Sequence, residues 1–173
     1  MGLPHVWLSI GAHHNSEFMT GKSMQPTSTS PLIDPGIPAG FRNLVGYRTL
    51  AWREGFGEIH LDIRPDHLNM LGFVHGGVYA TILDAALGHA VAWCVVPGNR
   101  RPAVTVTLTT SYLAGANRGR LIAIGRLIHI EGRIATCNGE IRDDAGKLCA
   151  RGQASFMYLP GGEKREGLAR PAM

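Results

Sequence analysis

Two places in this 173-residue chain carry residue types that could do chemistry. Asp84 is the sole carboxylate between His75 and Pro97, a run that is otherwise apolar, small or neutral-polar. A charge in such a run costs on the order of several kcal/mol unless it is paired or faces a solvated cleft. The plain alternative is a structural aspartate bonded to backbone or to an arginine. The second place is His75-Gly76-Gly77, at the start of the same run. Amides at a helix start have no partner within the helix, and the helix dipole there favours developing negative charge. A carbonyl parked against them would be polarised, and glycine leaves the approach open. Here the plain alternative is a helix start with flexible glycines.

The two places lie eight residues apart. On one helix, at about 1.5 Å per residue, that is roughly 12 Å. A single carbonyl cannot touch both. Either one of them takes no part in the chemistry, or the two come from different chains. Two such helices packed antiparallel across a two-fold axis would set Gly76 of one beside Asp84 of the other. A run rich in glycine and alanine suits that close approach, so the sequence favours a dimer with two shared sites.

The elements that must hold these residues are legible in outline. Residues 75–95 read as one long buried helix closed by Pro97 and Gly98. VGYRTLAWRE and GEIHLDIRP precede it as two short strands, and HLNMLGF is a loop. Four strand-like runs follow: AVTVTLTTSYL, GRLIAIGRLIHIE, RIATCNGEIRD and KLCARGQASFMYL. DDAG reads as a hairpin turn with Gly146 left-handed. One long helix beside a mostly antiparallel sheet is an α+β layer architecture. The Pro-rich residues 1–43 read as a flexible N-terminal arm, 44–159 as the folded domain, and 160–173 as a polar, frayed C-terminal tail.

Composition narrows the field. The balance of 17 Lys+Arg against 13 Asp+Glu gives +4, and the charges are scattered singly, so no nucleic-acid footprint is expected. The 3 cysteines have no CxxC spacing, which argues against a disulfide framework and for a reducing, cytoplasmic setting. No apolar run reaches membrane-spanning length, and the start has no signal-peptide pattern. His67, His75 and His89 lack metal-ligand spacing. A GxSxG elbow, a P-loop and a GxGxxG fingerprint are also missing.

The segment HLNMLGFVHGGVYATILDAALGHA strongly resembles the hotdog-fold acyl-CoA thioesterases of the phenylacetate-pathway type. Its signature is Asn69, His75-Gly76-Gly77 six residues on, and Asp84 eight beyond Gly76. The resemblance covers about residues 44–159 and implies a hotdog fold, an antiparallel sheet wrapped around one long central helix. It implies that the Gly76 amide is the main donor to a thioester carbonyl, with Gly77 beside the substrate and His75 orienting the loop. Asp84 of a partner chain would act on water as general base, or on the carbonyl as nucleophile through an anhydride. Asn69 and Thr105 would position the carbonyl and the water. The resemblance also implies acyl-CoA as substrate, coenzyme A as leaving group, no metal or redox cofactor, and a homodimer or a dimer of dimers. Among the turn arginines, Arg133 is the expected contact to coenzyme A phosphates. One departure lies a turn after Asp84, where some relatives carry a hydroxyl and this chain has Gly88. The rival reading is a non-catalytic acyl-CoA-binding hotdog module. Such modules lose the acid, which this chain keeps.

Overall fold

The computed structural model describes residues 40–170. A short helix α1 (Gly40–Val45) leads into strands β1 (Arg48–Arg53) and β2 (Phe56–Asp62). A loop with one 3-10 turn precedes the main helix α2 (Gly76–Ala92). Then come β3 (Ala103–Tyr112), β4 (Arg120–Glu131), β5 (Ile134–Asp143) and β6 (Leu148–Tyr158). All six strands form one antiparallel sheet in the order β1-β2-β4-β5-β6-β3. This is the hotdog fold, with the sheet curled around α2.

The helix is apolar nearly all round, so it must be enclosed. Tyr79, Ile82, Leu83, Ala86, Leu87, Ala90 and Val91 form its buried face. They meet Ile59, Leu61, Leu121, Ala123, Cys137, Ile141 and Phe156 of the sheet. The approach is closer than side chains would allow. Gly57, Gly125, Gly139 and Gly152 are register partners in turn across β2, β4, β5 and β6, making a bare stripe under the helix. A Cβ on Gly125 would lie 2.4 Å from the Ala86 carbonyl oxygen, and one on Gly57 would lie 2.5 Å from that same oxygen. A Cβ on Gly139 or Gly152 would crowd the Leu83 side chain, at 3.1 and 2.7 Å.

Polar ties fix the helix lengthwise. His89 donates from Nδ1 to the Ala85 carbonyl at 2.7 Å and accepts from the Thr49 hydroxyl at 3.0 Å. Burial lowers the pKa of this ring and so favours the neutral form those bonds require. Trp52 donates to the His89 carbonyl at 2.7 Å, joining α2 to the edge strand β1.

Three expectations need correction. The helix ends at Ala92, short of Val95. Beyond it the Trp93 carbonyl accepts from Arg101 at 3.3 Å and the Val95 amide donates to Arg165 at 3.1 Å. The segment after 160 is therefore docked and not frayed, at least through Leu168. Arg101, 7% exposed, donates to the carbonyls of Gly162 at 2.9 Å and Glu163 at 3.1 Å and stacks on Tyr158. Leu168 and Arg100 exchange backbone hydrogen bonds of 2.8 and 2.9 Å. Finally, the arm does not run to residue 43, because Gly40–Val45 is helical. Residues 1–39 lie outside the described residues.

The glycine stripe yields a paired test. Gly125→Ala should destabilise the fold by about 1–3 kcal/mol through overpacking against backbone. Gly88→Ala, whose Cβ would meet the Phe156 ring at an ordinary 3.6 Å, should be neutral or stabilising by up to about 1 kcal/mol through helix propensity. Denaturant melts of both variants check the contrast.

Candidate active site

The start of α2 is shaped by its own cap. His75, at φ −64° and ψ 140°, is the N-cap, and its Nδ1 accepts from the Gly77 amide at 2.9 Å. Its carbonyl takes the amides of Val78 at 2.9 Å and Tyr79 at 3.5 Å. Of the first four amides, Gly76 alone has no hydrogen bond among the described residues. His75 thus engages the Gly77 amide and leaves the Gly76 amide without a hydrogen bond among the described residues.

Gly76 lines a cleft of about 280 Å³ together with Val74, Tyr79, Tyr112, Leu113 and Gly115. The Tyr112 ring stands over Gly76, with its hydroxyl 3.5 Å from where a Cβ would sit. Tyr112 was not singled out from the sequence, because an aromatic residue at a strand end carries no functional signal. The cleft walls are tied together. The Tyr79 hydroxyl accepts from the Ala116 amide at 3.0 Å, and the Val74 amide donates to the Ala116 carbonyl at 2.8 Å.

Asn69 shapes the loop before the helix. Its Oδ1 accepts from the amides of Leu71 at 2.9 Å and Phe73 at 3.2 Å, forming an Asx-type turn around Gly72 at φ +76°. The oxygen is spent on the loop, and its Nδ2 makes no hydrogen bond among the described residues.

Asp84 sits two turns along α2, half-buried. Its Oδ1 accepts from the Thr105 hydroxyl at 2.9 Å. Among the described residues it enters no salt bridge. Among the described residues the Thr105 hydroxyl is the one hydrogen-bond partner of the carboxylate. It opens on a separate cleft of about 340 Å³, with Ala80, Thr81 and Ala85 of α2 and Leu108 of β3 among its walls. Within one chain, Gly76 and Asp84 line different clefts. Arg133 is exposed in the β4–β5 turn, and its carbonyl accepts from the Tyr158 amide at 2.8 Å.

Comparisons with known proteins agree with this fold. Residues 71–150 match the thioesterase superfamily. The Mycobacterium tuberculosis protein "Putative esterase Rv1847" is 28% identical over 138 residues, covering 79% of this chain and 97% of its own. A mutant structure of the phenylacetic acid degradation protein PaaI from Thermus thermophilus aligns with a TM-score of 0.61 at 27% identity, over 69% of this chain and 98% of that one. A thioesterase from Haemophilus influenzae shares the fold with a TM-score of 0.63 at 19% identity, over 70% of this chain and 84% of its own.

The cap geometry gives a test of the free amide. Proline is accepted at the first helical position, and His75 already has the extended backbone that proline demands of its predecessor. Gly76→Pro should therefore fold, with stability unchanged or raised by about 0.4–1 kcal/mol. Gly76→Ala, meeting the Tyr112 ring at 3.4 Å, should fold as well. Thermal melts check this. A large loss in the proline variant alone would show that the Gly76 N–H has an internal partner.

Proposed function

We propose that the protein is an acyl-CoA thioesterase that hydrolyses its substrate to a free acid and coenzyme A. The observation that carries the reading is Asp84, a half-buried carboxylate at the wall of a cleft that is held by the Thr105 hydroxyl and meets no cation among the described residues. The superfamily match over residues 71–150 supports thioester chemistry, and the Asn69-to-Asp84 spacing favours the phenylacetate-pathway type within it.

In this reading the thioester carbonyl oxygen accepts from the Gly76 amide at the positive end of α2. Asp84 of the partner subunit takes a proton from water as that water attacks the carbonyl carbon. Negative charge gathers on the carbonyl oxygen and is held by the Gly76 amide. The tetrahedral species then collapses, the carbon–sulfur bond breaks, and the departing thiolate recovers the proton from Asp84. Attack by the carboxylate itself would give an anhydride that water then opens. The chemistry calls on no metal or redox cofactor. Asn69 offers its Nδ2 to the carbonyl or water, Gly77 flanks the substrate, and Arg133 is the contact we assign to coenzyme A phosphates.

Two clefts on one chain are joined into one site if two copies pair. The exposed edge of β3 supports such a homodimer. It is a ten-residue edge strand with Val104 44% and Val106 54% exposed, an open ladder of the kind proteins cover. A dimer of such dimers is compatible with the same site. The three cysteines are free, which supports a reducing, cytoplasmic setting. No described helix is long and apolar enough to cross a membrane.

Asp84→Asn is expected to keep the fold and lose on the order of 10²–10⁴ in kcat, measured as thiol release over a panel of acyl- and aryl-CoA thioesters. Release near the wild-type rate would overturn the mechanism.

A further inference from the structure

The segment Gly40–Tyr47 lies outside the residues that match the superfamily, yet two of its side chains, Phe41 and Tyr47, line the Asp84 cleft. Its position is fixed by specific bonds. The Gly46 amide donates to the Arg42 carbonyl at 2.7 Å, and Gly46 at φ +85° ends the helix in the left-handed region. Arg64 donates to the Leu44 and Val45 carbonyls, each at 3.0 Å, and His67, itself buried, donates to the Val45 carbonyl at 2.8 Å. The same His67 presents its carbonyl to the His75 amide at 2.8 Å, so α1 and the start of α2 share one anchor.

Held there, Phe41 remains 63% exposed at the cleft while Tyr47 is half-buried beside it. Burial raises the Tyr47 pKa, Arg42 opposes that shift, and the charge of Asp84 adds to it, so the ring is within electrostatic reach of the carboxylate. Asp84 is the only charged residue among the described residues lining the cleft. The facing wall from α2 is small, with Ala80 and Ala85 leaving room. An apolar cavity of about 150 Å³ accepts a benzene ring. At about 340 Å³, this space holds a ring or a chain of several carbons, open to one side.

We propose that α1 is the wall of the acyl subsite: Phe41 and Tyr47 bound the space for an uncharged, apolar acyl group beside Asp84 and set which chain lengths enter. The proposal rests on the thioesterase reading of Asp84. Carboxylated acyl groups are disfavoured, because they would bring a second negative charge beside that aspartate.

The test uses the full chain and a series of straight-chain acyl-CoA thioesters from acetyl to palmitoyl, with succinyl-CoA as the carboxylated member. Wild type, Phe41→Ala, Phe41→Trp and Tyr47→Ala are compared, after circular dichroism shows each is folded. Phe41→Ala should raise kcat/KM for long relative to short chains by about 10-fold or more, the low end for a single methylene in an apolar pocket. Phe41→Trp should move the ratio the other way, Tyr47→Ala should flatten the length profile, and succinyl-CoA should be the poorest substrate of its length. Binding of the same series to Asp84→Asn, with Phe41 kept and with Phe41→Ala added, is measured by calorimetry as the second arm. If wild type hydrolyses the series but no variant moves the length profile, the subsite assignment is overturned and the thioesterase reading stands. If nothing is hydrolysed but the binding profile shifts with Phe41, the hydrolase reading fails and the subsite stands. If there is neither turnover nor binding, both fall.

Discussion

Everything in this molecule depends on how closely one helix can lie against one sheet. The stripe Gly57-Gly125-Gly139-Gly152 removes four side chains from the floor under α2, and the Ala86 carbonyl comes to within 2.4 Å of where a Gly125 Cβ would be. Dispersion and exclusion of water are greatest at such separations. A helix seated this deeply has its inward residues fixed in register with the strands. The cost is four weak strand positions, since glycine has no side chain to pack and loses more entropy on ordering. The buried leucines, isoleucines and alanines around the stripe offset that cost.

The same seating sets the chemistry apart along the helix. At one end the His75 cap takes the amide of Gly77, and Gly76 lines a cleft beside Tyr112. Two turns on, Asp84 projects away from the glycine stripe, toward Thr105 and a different cleft. A rigid helix cannot bend to join them. That separation is what makes the lone chain an incomplete catalyst in our account.

Much of this was legible in the residues, for stated reasons. Six strands and one helix follow from periodicity and turn chemistry, and Gly146 at φ +83° is the left-handed turn residue that DDAG implied. Asp84 stood out because a charge on an apolar helix needs an explanation. The glycine stripe was not legible: its members lie in four separate segments, and only strand register puts them in line. Nor was α1, since six residues after a Pro-rich stretch carry too little periodicity, and the bonds that hold it come from Arg64 and His67, more than 15 positions away. The docking of residues 160–168 is hidden for the same reason, because it depends on the buried Arg101 reaching carbonyls some 60 residues on.

The central claim is that one thioester is served by the Gly76 amide of one chain and the carboxylate of the other. The most direct measurement mixes two proteins, Asp84→Asn and Gly76→Pro, each inactive alone, under conditions where subunits exchange. In a mixed dimer one site collects both lesions and the other neither. With random exchange about half the dimers are mixed, so roughly a quarter of wild-type activity per total sites should return, by the symmetry of an isologous pair. If native mass spectrometry shows that mixed dimers form and thiol release stays at the level of the separate variants, the shared site is contradicted.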